Sequence, residues 1–295
     1  MHYLFPILSV LTSVKRRIIP FCLISGMFLL ASCEEIMDIS FTGDSGKSLV
    51  IQGSITTDTT SHLVTLSLTG DFFDKPVQEM VSGAMVTITD GDTMHLLSEL
   101  ETGRYYTAPD VYGEVGKTYT LDITLSDGRH FTATEMLRSC AEFDSIRQSL
   151  NYNTQLFGYG YDVLFYGQEP EPLGNSYMYL VYINNELYSD TLSEIVFAND
   201  EFVNGNYVGE YPVYRIREAD IRGDTSLVSL EMHSISEDYY DFMSAMMLET
   251  VWKGSPWDGP PANVNGNISG GARGYFRASE VKRQSKTFKA LPRAN

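Results

Sequence analysis

Thr118-Tyr119-Thr120-Leu121-Asp122-Ile123-Thr124-Leu125-Ser126-Asp127-Gly128 is the stretch that decides the fold class. Tyr119, Leu121, Ile123 and Leu125 fall on one face, and Thr118, Thr120, Asp122 and Thr124 on the other, which is the period-two pattern of a half-buried strand. Asp127-Gly128 then supplies the positive-φ pair of a two-residue hairpin, and residues 129–135 return as the next strand. Asp90-Gly91 does the same between residues 85–89 and 93–97. With residues 49–56, 63–69 and 104–107, this makes about seven short strands over residues 48–138, the spacing of an immunoglobulin-like or prealbumin-like β-sandwich.

Residues 139–281 differ in texture. Eleven of the 19 tyrosines fall between Tyr152 and Tyr214, and residues 176–183 are apolar or aromatic on both faces. Such a segment suits a strand buried on two sides or lining a cavity. Residues 225–234 alternate, with Val228, Leu230 and Met232 on one face and Ser229, Glu231 and His233 on the other. One helix is predicted near residues 237–251. Ser234 and Glu237 have capping-box spacing, Ser236 can itself serve as N-cap, and Tyr239, Met243, Met246, Met247 and Val251 recur at helical spacing as a core stripe. A Gly/Pro-rich stretch follows, then Tyr275-Phe276-Arg277-Ala278-Ser279 as the last strand. The chain thus reads as mainly β, with a second, Tyr-rich β-sandwich or barrel-like domain carrying one helix. Residues 282–295 hold Lys282, Arg283, Lys286, Lys289 and Arg293 and no acid, and read either as a frayed basic tail or as one that docks on an acidic or phosphate-rich surface.

Hydrophobic residues make up 43% of the 295 and charged residues 20%, enough to fill a core. Thirty-eight acids against 21 Lys and Arg leave a formal charge of −17, which argues against a nucleic-acid partner. Lys15, Arg16 and Arg17 precede an apolar run over residues 18–30, too short for a membrane-spanning helix and right for a signal peptide. Residues 1–14 read as an upstream extension. The run ends in Leu30-Ala31-Ser32-Cys33, which resembles a bacterial lipobox cut between Ser32 and Cys33, with Cys33 taking the lipid. The alternative is an ordinary signal peptide cut near Ala31. Loss of residues 1–32 removes three positive charges and takes the net charge to −20. Residues 33–47 form the lipidated Cys and a short tether, whose Glu34, Glu35 and Asp38 resemble a surface-export signal and equally suit a solvated linker. Cys140 is then the remaining thiol; with only Arg138 near as a cation, it reads as a buried structural cysteine.

Little in the chain points to chemistry. His62, His95, His130 and His233 have no metal-ligand spacing, so no metal site is expected. Nucleophile-elbow, P-loop and dinucleotide patterns are missing, and no cofactor is implied. Two carboxylates brought together by folding leave no mark in a sequence, so a carboxylate hydrolase stays among the readings. The aromatic surplus is the binding hint. Tyr159, Tyr161 and Tyr166, beside Gly158, Gly160 and Gly167, and Trp257 in the Gly/Pro-rich stretch are the candidate contact residues. Trp252, at the helix end, reads as packing inward. The competing reading is that the tyrosines fill a two-sided β core.

The order of several short motifs is similar to that of a family of Bacteroidota outer-membrane lipoproteins of unknown function. These are Cys33, residues 49–55 (LVIQGSI), residues 81–88 (VSGAMVTI) and Gly103-Arg104-Tyr105-Tyr106, then Ser234-Ile235-Ser236, Pro260-Pro261 with Gly266-Asn267-Ile268, and Gly274-Tyr275-Phe276. Members are commonly encoded beside TonB-dependent receptors. The resemblance implies a non-enzymatic, surface-exposed accessory that binds substrate for, or caps, such a receptor, held at the outer membrane through Cys33. An adhesin or structural surface protein and a surface hydrolase are the rival readings.

Overall fold

The computed structural model describes residues 47–69, 79–151, 159–221, 225–251 and 264–289. Strands take 53% of them and helices 9%, in several open sheets with a single α-helix and no closed barrel. In the first sandwich, β1 (Leu49–Thr56) pairs with β2 (Leu63–Leu68), and the sheet continues through β6 (Arg104–Tyr106) to β5 (Ser98–Glu101). Facing it stand β4 (Met94–Leu96), β3 (Met85–Thr89), β7 (Thr118–Thr124) and β8 (His130–Met136). The alternating apolar residues meet between the sheets, where Ile51, Ile55, Val64, Leu66, Val86, Ile88, Leu121 and Ile123 are wholly buried.

The turns differ in detail from their dipeptides. At Asp127-Gly128 only the glycine takes positive φ (86°), and the Gly128 amide donates to the Leu125 carbonyl. The result is a three-residue loop with glycine in the left-handed position; Asp127 instead accepts from the Arg129 amide. At 90–93 the positive φ again belongs to glycine alone, Gly91 at 93°. A tighter hairpin went unpredicted. Asn184 and Asn185 have φ of 52° and 69°, the doubly left-handed pair that a two-residue hairpin needs.

A second core lies between the sheet of β9 (Ser145–Asn151), β10 (Gly160–Gln168) and β14 (Tyr207–Arg217) and a larger one. The larger sheet holds β12 (Glu186–Leu187), β11 (Ser176–Ile183) and β15 (Thr225–Ile235), with β13 (Val196–Asn199) also on β11. It is two packed open sheets, so the barrel-like alternative falls away. The helix α1 (Glu237–Thr250) follows β15 directly, with Ser236 as N-cap accepting from the Tyr239 amide at 3.2 Å. The described residues lie in one compact unit.

Two expectations are corrected at the C-terminal end. The strand over 275–279, β16 (Arg273–Ser279), belongs to the first sandwich: it pairs parallel with β1, from Val50↔Arg273 to Thr56↔Ser279. Its alternation sends Phe276 (0% exposed) and Ala278 into the first core. Its edge is closed by Asn267, whose side-chain amide donates to the Phe276 carbonyl (2.7 Å) and accepts from its amide (2.9 Å). The basic segment is not a frayed tail as far as Lys289. It is β17 (Val281–Lys289), antiparallel to β15, with Phe288 wholly buried in the second core. Its cations serve the fold. Lys282 donates to the Cys140 and Ala141 carbonyls, and Arg283 pairs with Glu231 and Asp58, which leaves the docking reading without them. Residues 290–295 lie outside the described residues.

Candidate functional site

Strands β1, β2 and β16 turn their second set of alternating residues away from the core. Gln52 and Ser54, Leu63 and Thr65, Tyr275 and Arg277 therefore share the outer face of the first sheet. Helix α1 lies against that face and contributes Tyr239, Phe242, Met243 and Met246, while Leu192 from a 3-10 turn closes one side. Between them runs a groove of about 480 Å³, within the usual size range of small-molecule sites. Its floor is polar and its wall apolar. Tyr239 and Phe242 stack at 6.1 Å, and Tyr275 meets Tyr239 edge to face at 4.9 Å. A second hollow adjoins it at Phe242 and Tyr275, lined also by Asp238, Asp241 and residues 264–267.

Two buried networks hold the groove. The Glu135 carboxylate accepts from Tyr275 Oη (3.0 Å) and Ser236 Oγ (3.1 Å), tying β8, β16 and the start of α1 together. Burial pushes the Glu135 carboxyl upward, and these donors limit the shift. Behind Arg277, the buried His233 bonds Glu231 through Nε2 (3.2 Å) and faces the Arg277 Nη1 through Nδ1 (3.3 Å). An imidazole protonated on Nε2 alone satisfies both contacts, donating to the carboxylate and accepting from the guanidinium. Burial accordingly pushes the His233 value down. Glu231, which burial alone would raise, is held below the ordinary carboxylate value by His233 and Arg283. Arg283 reaches on to Asp58, so this chain of charges joins the loop after β1 to the second sandwich.

The predicted contact residues do not gather here. Tyr161 is wholly buried in the second core, where the alternation Tyr161, Val163, Phe165 faces inward. Tyr166 is 8% exposed and lies under the Arg147 guanidinium, 4.5 Å from the ring centroid. Neither offers a contact surface; the Tyr/Gly clustering reflects strand packing, and only Tyr159 of the three is exposed. Trp252, Trp257, Ser32 and Cys33 lie outside the described residues. Cys140 is buried and donates weakly to the Met232 and Glu280 carbonyls. Burial pushes its thiol up to about 12. Among the described residues, no group of three or more His, Cys, Asp or Glu could hold a metal ion. None of their helices is long and apolar enough to cross a membrane. The sequence did carry a signal for the groove: Tyr275 and Arg277 alternate with Phe276 and Ala278. It gave no sign of which residues would face them.

No curated protein matches the chain. The profile of a family described as Domain of unknown function (DUF4249) matches residues 34–285, from just after Cys33 almost to the end of β17, and the chain belongs to that family.

Proposed function

We propose that this protein is a lipid-anchored, non-enzymatic binding module at the outer surface of a Bacteroidota outer membrane, accessory to a TonB-dependent receptor. The observation that carries the binding role is the groove under α1, an aromatic and thioether wall over a polar floor with no carboxylate among its described lining residues. Val251, at the helix end, and Val264, which lines the adjoining hollow, are the last described residues on either side of the segment that holds Trp257. A lipid on Cys33 would raise the local concentration of such a module at a receptor mouth.

The test is co-purification from detergent-solubilised membranes of the native host. Wild type is expected to bring down a TonB-dependent receptor, and Cys33→Ala is expected to leave the membrane fraction. Trp257→Ala should weaken receptor recovery by the equivalent of about 1–3 kcal/mol at matched expression. Recovery of no receptor, with turnover of a glycan or peptide by the purified protein, would replace this reading with the hydrolase.

A further inference from the structure

We infer that the groove under α1 binds a short peptide by its free C-terminal carboxylate, with Arg277 as the anchor. This deepens the binding role above and rests on it only in taking the groove as the contact site. In a chain with 38 acids, none stands among the described residues of the groove lining, and Arg277 is the one charged residue among them. Arg277 spends its Nη1 on His233 Nδ1 (3.3 Å) and Ser279 Oγ (3.1 Å). Its Nε and Nη2 have no acceptor among the described residues, and no carboxylate of theirs lies within 4.0 Å of it. Those two nitrogens form the side-on fork that matches a carboxylate bidentately. The nearby Glu231 carboxylate is committed elsewhere, with Oε1 on Arg283 (2.5 Å) and Oε2 on His233 (3.2 Å). His233, kept neutral by burial, supplies no competing charge.

The rest of the lining selects the kind of carboxylate. Gln52, Ser54 and Thr65 on the floor offer donors and acceptors to peptide amides. Met243, Met246, Phe242 and Leu192 form a wall for aliphatic side chains, with Leu63 of the sheet facing them, and the unbranched thioethers adapt to their shape. An acidic sugar would set hydroxyls against that wall without partners. A separate hollow, around Asp200, Glu201, Glu237 and Asp241, is acidic and suits no such ligand.

Isothermal titration of the detergent-solubilised full-length protein tests this, with N-acetyl-Leu-Met as the free acid and as its C-terminal amide, and trigalacturonate as the acidic-sugar arm. The free acid is expected to bind at least tenfold more tightly than the amide, and trigalacturonate more weakly than the free acid. Arg277→Gln should abolish the preference for the acid. In case that change disturbs folding, Met246→Glu places a like charge on the half-buried wall and should weaken the free acid at least tenfold with the melting temperature unchanged. Equal affinity for acid and amide, absence of binding by either, or an unchanged free-acid affinity in Met246→Glu overturns the assignment. Tighter, Arg277-dependent binding of trigalacturonate overturns the peptide class. Receptor recovery in the co-purification, with no peptide bound here, removes the ligand assignment and leaves the accessory role standing.

Discussion

Residues 47–138, expressed alone, should fail to fold cooperatively, although their sequence pattern is that of a self-contained sandwich. The missing piece is β16, which enters the first sheet from more than 130 residues away and covers the edge of β1. Its seven registered pairs with β1 disappear in the fragment, and with them Phe276, which is wholly buried among the first-core residues. Removing a buried phenylalanine side chain alone costs about 3–5 kcal/mol. A domain of this size has roughly 5–14 kcal/mol of stability in total, at about 0.05–0.15 kcal/mol per residue. Loss of Phe276, Ala278 and the parallel ladder therefore consumes most of that margin, and an unpaired β1 edge invites association. The assay is urea unfolding followed by far-UV circular dichroism and tryptophan-independent fluorescence of the tyrosines. The fragment should show a broad, low-amplitude transition. Joining residues 264–281 to its C-terminus through a flexible Gly/Ser linker of about 12 residues, long enough to span roughly 40 Å, should restore a cooperative one. A cooperative transition for 47–138 alone, with a midpoint near that of the linked form, would refute the reasoning and make β16 an accessory to a complete sandwich.

Ser236→Ala should lower stability by about 1–2 kcal/mol, since it removes both the N-cap of α1 and a donor to buried Glu135; Ser236→Thr should recover most of the loss, read as urea midpoints. The lowered His233 value carries a sign for pH: the unfolded imidazole binds protons near pH 6.5 that the folded one refuses, so stability falls as pH drops through that value. The limit is about 1.4 kcal/mol per pH unit. Glu135 and Glu169, raised by burial, act with the opposite sign but are common to wild type and His233→Gln, so the variant should show a shallower loss from pH 6.5 to 5.5; an equal slope would mean that His233 is not held neutral. Cys140 should resist maleimide at pH 8 in the folded protein and react fully in urea, because burial holds it protonated near a value of about 12. Rapid native labelling of this cysteine would place it at the surface.

What the sequence by itself determined is what depends on neighbours along the chain. The alternation over 118–125 and 130–136 and the repeated inward set of β1 and β2 follow from backbone geometry, in which side chains switch faces every residue. Ser236 at the head of α1 is equally local, because a cap needs only the amide three residues on. Tertiary structure alone decided where strands of ambiguous address would go. The pattern of β16 states that Phe276 and Ala278 face a core and does not say which one; the choice of β1 as partner came from a gap in the first sheet that no local window contains. In β17, clustered cations masked a strand, because Lys282 finds the Cys140 and Ala141 carbonyls and Arg283 the carboxylates of Glu231 and Asp58 only once the chain has brought them alongside. The burial of Tyr161 and Tyr166 is illegible locally for the matching reason, since a tyrosine carries an apolar body and a polar tip and its address depends on what packs above it. The groove is the extreme case: Gln52, Tyr239 and Arg277 come from three distant parts of the chain, and its chemistry, an arginine fork with no carboxylate of the described residues beside it, exists only once they share one face.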